Sequence, residues 1–271
     1  MVEGAPQAVF IMGLMRKWVL GTVLVGMVAA VVGCGGELPQ RSHPVQSTSA
    51  AATPSVAPTA DPVQPSPVLE TLATLEVKGR APKADYERAK FGQRWFDVDR
   101  NGCDTRNDVL RRDLSELVIK PGTQGCVAWS GILHDPYTGT DISFQRGKGP
   151  SPVDIDHVVA LSDAWQKGAS RWGDEQRAQF ANDPLNLLAV DAPANRQKGD
   201  GDAATWLPAN KSFRCDYVAR QVAVKHKYEL WITPAERDAI VRVLDACPEQ
   251  LPPDDESPAA ERPAVTSPRD G

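Results

Sequence analysis

Apolar and polar positions divide the chain into stretches before any single residue is considered. From Trp18 to Val32 nearly every position is apolar, directly after Arg16 and Lys17. From Gly35 to Pro67 large apolar residues almost vanish, and Pro, Ser, Thr, Ala and Gln take over. From Val68 to Cys247 apolar residues return with recognisable periods, and from Pro248 to Gly271 Pro and acidic residues dominate again. Polar, Pro-rich segments cannot bury enough surface to offset their ordering entropy, so they predict a linker (35–67) and a tail (248–271) around one folded domain (68–247). That domain is long enough to bury a real core.

Within the domain, helical spacing fits Lys83 to Phe91, Arg106 to Leu117, Leu161 to Gly168, Asp174 to Phe180 and Arg214 to Tyr228. Thr233-Pro234-Ala235-Glu236 is a capping box with Pro at the first helical position, opening a helix through Leu244. Alternation predicts a hairpin from Cys126–Leu133 and Thr140–Phe144 across the turn residues Asp135-Pro136-Tyr137-Thr138-Gly139. Two further words, Val153 to Val159 and Asn186 to Asp191, each read as strand followed by helix; Asp191 can cap the second helix, whose first turn holds Pro193. The fold class is therefore α+β. Trp165, Trp172 and Phe180 read as core rather than as base-stacking surface. Arg214, Arg220, Lys225 and Lys227 form the polar side of their helix, a solvated face by default and a track for a phosphate backbone as the functional reading.

The two strand–helix words carry the chemistry. The first ends in Asp156-His157, and the second leads to Asn195 and Lys198 across about forty residues. Breaking a phosphodiester requires a base to deprotonate water and a cation to hold the charge that builds on phosphate and leaving oxygen. A neutral imidazole at His157 is available as that base near pH 7. Asp156 and Asn195 offer the hard oxygen ligands that magnesium, manganese or calcium prefer. Lys198, one helical turn after Asn195, is placed to face the same groove.

As an ordered set, Asp156-His157-Val158-Val159, Asn186 and Asn195-Arg196-Gln197-Lys198 resemble an HNH nuclease. The words Asn101-Gly102-Cys103-Asp104-Thr105-Arg106-Asn107-Asp108, Phe180-Ala181-Asn182-Asp183-Pro184-Leu185-Asn186-Leu187 and Trp206-Leu207-Pro208 are similar to secreted bacterial proteins of the GmrSD-type HNH family. The resemblance spans Leu75 to Cys247 and implies a ββα-metal (His-Me finger) core with flanking helices and a β-hairpin. By position it implies His157 as general base, Asp156 and Asn195 as metal holders, and Asn186 as brace of the intervening loop. Asn195 stands where the family name has its last His. Nucleases of this superfamily also bring an Arg to the scissile phosphate, which makes Arg106 a candidate against an ordinary structural role. The implied activity is magnesium- or manganese-dependent endonucleolytic cleavage of DNA, double-stranded by expectation, or of RNA, with little sequence preference, by a monomer. The competing reading is a non-catalytic surface module on a nuclease fold.

Charge and cysteines modify this picture. The whole chain carries a net charge of −5, and 25 Lys and Arg face 26 Asp and Glu between Val68 and Cys247, so any positive surface must be local. Arg16, Lys17 and the apolar run ending Val31-Val32-Gly33-Cys34 resemble a secretory signal closing on a lipobox, with Met15 as the start and Cys34 lipidated at the outer face of the membrane. Cys103, Cys126, Cys215 and Cys247 remain, and four cysteines allow three connectivities. Their order and the layout of elements favour Cys103–Cys126 and Cys215–Cys247, which export permits; no pair has zinc-ligand spacing. Asp97-Val98-Asp99-Arg100-Asn101-Gly102 opens like an EF-hand loop but then departs from it, and it reads as a turn, with calcium as the alternative.

Overall fold

A computed structural model describes residues 66–253; the expected signal, lipidated Cys34 and nearly all of the linker and tail lie outside the described residues. The centre of the domain is a two-stranded antiparallel ribbon. Strand β4 (Val153–His157) pairs with β5 (Leu187–Asp191), with Val153 opposite Asp191 and His157 opposite Leu187. Leu187, Leu188, Ala189 and Val190 are all fully buried, so β5 is covered on both faces. Leu187 and Ala189 join one apolar cluster with Val109, Leu110, Leu133 and Phe144, whereas Leu188 and Val190 join another with Tyr217, Val222 and Ile240. The period of two in the strand thus serves two cores at once.

Helix α5 (Ala192–Lys198) follows β5 without a loop. The Asp191 carboxylate accepts the amide of Ala194 at 2.7 Å, Pro193 sits in the first turn, and Gly199 at φ +53° ends the helix. The ribbon and this helix make a ββα unit, as the strand–helix reading expected.

A second sheet has the order β1 (Leu114–Ile119), β2 (Ala128–His134), β3 (Asp141–Gln145), all antiparallel. The expected hairpin is β2–β3; β1 was not foreseen. The helix expected to reach Leu117 stops as α2 (Thr105–Asp113), because Leu114 onward pairs with β2 through a bulge at which Glu116 takes φ +48°. Strand pairing overrides the helical period there. Another expected helix, Lys83 to Phe91, is only a short 3-10 turn at Arg88–Phe91: Asp85 adopts φ +58°, and the Ala84 carbonyl is held by the Trp165 indole at 3.1 Å. Conversely, Pro67, the last residue of the expected linker, opens α1 (Pro67–Thr74), capped by the Ser66 hydroxyl.

The remaining helices are α3 (Leu161–Gln166), α4 (Asp174–Ala181), α6 (Arg214–Lys227) and α7 (Pro234–Leu244), the last with the expected Thr233/Glu236 capping box. Trp165 and Phe180 are buried and Trp172 packs on their cluster. The polar side of α6 needs correction as a phosphate track. Arg220 and Lys225 are buried, Arg220 donating to the Leu185 carbonyl at 2.9 Å. Lys225 instead joins a buried ion network. Its ammonium lies 3.1 Å from Asp163 and 3.0 Å from Glu236, while Lys167 reaches Asp163, Asp202 and Glu236 at 2.7, 2.9 and 2.7 Å. Arg80 closes the network on Asp163 and Asp202. Both Cys103–Cys126 and Cys215–Cys247 are bonded, with Cα separations of 5.2 and 6.4 Å.

Candidate active site

Alternation along β4 puts Asp154 and Asp156 on one face of the ribbon, and α5 crosses beside them. The Asn195 amide donates to Asp154 at 3.3 Å. These three residues and His157 line a cleft of about 470 Å³. Its other wall comes from residues far away in sequence: Tyr86, Arg88, Arg94, Trp95 and Arg106.

His157 closes β4 and is almost buried. Its Nε2 lies 2.8 Å from the Ala181 carbonyl, which can only accept, so Nε2 carries the proton and Nδ1 is the basic nitrogen. Burial lowers the imidazole from its ordinary range to about 3, so it stays neutral at physiological pH. The Trp95 ring stacks on it, with centroids 6.5 Å apart and planes 14° apart.

Asp156 forms the floor. Its carboxylate accepts the Tyr137 hydroxyl at 2.5 Å and the Lys198 ammonium at 2.9 Å. Burial raises the carboxyl above its ordinary range, opposed by Lys198 and Tyr137. Burial, then the nearby Asp156 charge, push the Tyr137 phenol far up, so it remains a donor. Lys198 does not face the groove beside Asn195, as its spacing suggested. It is buried, and its long stem carries the ammonium beneath the ribbon to Asp156 and the His157 carbonyl at 2.8 Å. Asn186 is fully buried, and its side-chain oxygen accepts the Val159 amide at 2.9 Å while its amide donates back to the Val159 carbonyl. That places it on the backbone leaving His157, not in the cleft.

Arg106, from the first turn of α2, reaches the cleft with its Cζ 5.9 Å from the Trp95 ring. Partial burial and Arg146 lower its guanidinium; partial burial and Arg94 lower that of Arg88. Among the described residues none of Arg88, Arg94 and Arg106 has an ion-pair partner, so this wall is a positive surface suited to an anion.

Sequence reasoning missed Asp154, Tyr137, Arg88, Arg94 and Trp95. Asp154 had a signal, being two residues before Asp156 and so on the same strand face; the arginines had none. Asp154, Asp156 and the Asn195 oxygen are a hard donor set of the kind that suits magnesium or manganese, with remaining positions left to water and phosphate. Among the described residues no group of three or more His, Cys, Asp and Glu is placed to hold a metal ion, so a cation here would rest on two carboxylates and an amide.

The family model described as GmrSD restriction endonucleases, C-terminal domain, matches residues 104–243. An uncharacterized secreted protein of the fungus Arthroderma benhamiae is 37% identical over 199 residues, covering 72% of this chain and 93% of that protein. The resemblance had suggested secreted bacterial proteins, whereas this relative is fungal. No solved structure matches the chain. The secreted relative and the two disulfides are consistent with export. With an α+β domain centred on β4, β5 and α5, and a model match over more than half its length, the chain belongs to the GmrSD restriction endonuclease C-terminal-domain family, with the ββα-metal fold and nuclease-like function that this carries.

Proposed function

We propose that the protein is a divalent-metal-dependent endonuclease that hydrolyses phosphodiester bonds of DNA, double-stranded by expectation, or of RNA, with little sequence preference, acting as a lipid-anchored monomer outside the cell. The observation that carries the reading is His157, whose Nε2 is occupied by the Ala181 carbonyl so that Nδ1 is the basic nitrogen, lining a cleft that also holds the carboxylates of Asp154 and Asp156 and the guanidinium groups of Arg88, Arg94 and Arg106. His157 takes the proton of the attacking water at Nδ1 while its Nε2–H stays on the Ala181 carbonyl. Bound phosphate brings negative charge beside an imidazole that burial has made a weak base, which raises its basicity towards the working range. Arg88, Arg94 and Arg106 receive the phosphate oxygens, and Arg106, the most enclosed, suits the scissile group. Asp156 and Asn195, with Asp154 beside them, would hold magnesium or manganese, which when bound stabilises charge on the leaving oxygen. Asn186 and Lys198 support the His157 backbone from behind.

A plasmid digest with and without chelator tests this. His157→Ala should lose about 10² to 10⁴ in rate while remaining folded and binding DNA. Asp156→Ala and Asn195→Ala should regain part of their activity with added manganese, and His157→Ala should not. A folded His157→Ala protein that cuts like the wild type would end this reading.

A further inference from the structure

His157 is tethered through one nitrogen, and one hydrogen bond fixes a point but not a plane. An imidazole anchored at Cβ and through Nε2 can still turn about the line joining those two points, which moves Nδ1. The second constraint comes from Trp95, whose ring lies nearly parallel to the imidazole and also carries the Arg106 guanidinium over it. We propose that Trp95 is a positioning residue of this site, fixing the plane of the His157 ring so that Nδ1 addresses the water, with Arg106 packed on the same indole. The proposal rests on the nuclease reading above for its kinetic consequence, and on geometry alone for its placement.

The backbone supports it. Trp95 adopts φ +59°, a left-handed conformation that is a genuine outlier for a bulky aromatic residue and costs about 1–3 kcal/mol. In extended chain, consecutive side chains point to opposite sides, yet Arg94 and Trp95 both line the cleft. The left-handed turn accompanies that shared orientation. Just beyond it the chain is held from several sides: the Thr105 hydroxyl donates to the Phe96 carbonyl, Asp97 accepts the amides of Asn101 and Gly102 at 3.1 and 3.0 Å, and Cys103 is bonded to Cys126. Strain of this kind persists only where surrounding structure over-determines it.

The test compares Trp95→Gly with Trp95→Phe. Glycine removes the ring but relieves the left-handed strain, so loss of fold need not follow loss of the ring. Phenylalanine keeps a stacking face. Trp95→Gly should lower kcat by about 10- to 100-fold, the scale of a misaligned reacting group, with Trp95→Phe within about threefold of wild type. In a His157→Ala background Trp95→Gly should cause no further loss, because a residue that acts through His157 has nothing left to act on. Independently of activity, NMR should show the His157 Nε2–H exchanging faster with solvent in Trp95→Gly and protected as in wild type in Trp95→Phe. A Trp95→Gly protein with wild-type kcat and a protected Nε2–H would overturn the proposal, as would a loss that adds in full to that of His157→Ala. If the wild type cleaves nothing, the nuclease reading fails on its own, and the exchange of the Nε2–H still decides the placement.

Discussion

Lys167 is the hub of the buried ion network, and replacing it by Met gives the sharpest test of how that network holds the helices together. The ammonium is completely buried and touches Asp163, Asp202 and Glu236. Its loss leaves three carboxylates with Lys225 and Arg80, hence one uncompensated negative charge in a dry region. Removing one partner from a buried pair typically costs about 3–5 kcal/mol. For a domain of this size that lowers the melting temperature by roughly 6–20 °C. The pH dependence has a definite sign. In the wild type Asp163 is held at about 2, its burial being outweighed by Lys225 and Lys167. Its stabilisation is therefore present above the unfolded value near 3.8 and lost as pH falls towards about 2, a contribution of about 2 kcal/mol. Without Lys167 the carboxylates of the cluster rise, so the penalty in Lys167→Met should be largest at neutral pH and shrink on acidification. The double variant Lys167→Met with Glu236→Gln restores charge balance and keeps the α7 cap, and should recover more than half of the loss. Urea melts of both variants near pH 5 and pH 8 measure this. A penalty below about 1 kcal/mol, or one that is equal at both pH values, would refute the reasoning.

Other expectations follow from the site and its supports. Arg106→Ala should raise KM and flatten the salt dependence of DNA binding by about one phosphate contact, whereas Lys90→Ala, outside the cleft wall, should leave both near wild type. Tyr137→Phe removes the hydroxyl from the Asp156 floor and should cost about 1–3 kcal/mol of stability in chemical denaturation. Because burial holds His157 at about 3, well below its unfolded value, the wild type should lose stability as pH falls from about 6.5 towards 3, and His157→Gln should lose less over the same range. Reduction of Cys103–Cys126 and Cys215–Cys247 should each cost about 2–4 kcal/mol, and the unreduced domain should not react with a thiol reagent.

What could be read from the sequence was what local physics decides. Alternation up to Asp156-His157, the Asp191 cap with Pro193, and the Thr233/Glu236 box are signals contained within one turn or strand, and the structure keeps each of them. The Asn186–Asp191 word predicted a strand, although not that it would be buried on both faces with two cores claiming its alternate positions. What failed was decided at long range. Lys225 has the spacing of a surface lysine, and only the arrival of Asp163 and Glu236 from other helices makes its burial tolerable. Leu114 to Leu117 continued a helical period until β2 offered a ladder. Arg94 and Trp95 sit in a segment without periodicity, Arg88 in one whose helical spacing the fold does not keep, and nothing short of the folded chain brings them opposite Asp154 and Asn195.

The double coverage of β5 has a consequence for how this domain can change. Each residue from Leu187 to Val190 answers to one of two apolar clusters, so the strand that frames His157 has almost no latitude for substitution. The arginine-bearing wall of the cleft belongs to another part of the chain, residues 86–106, with its own disulfide. Mutational libraries should therefore show two separable modules: an intolerant strand that frames the site, and a wall that, Trp95 and Arg106 apart, accepts substitutions through which new substrates can be taken without rebuilding that frame.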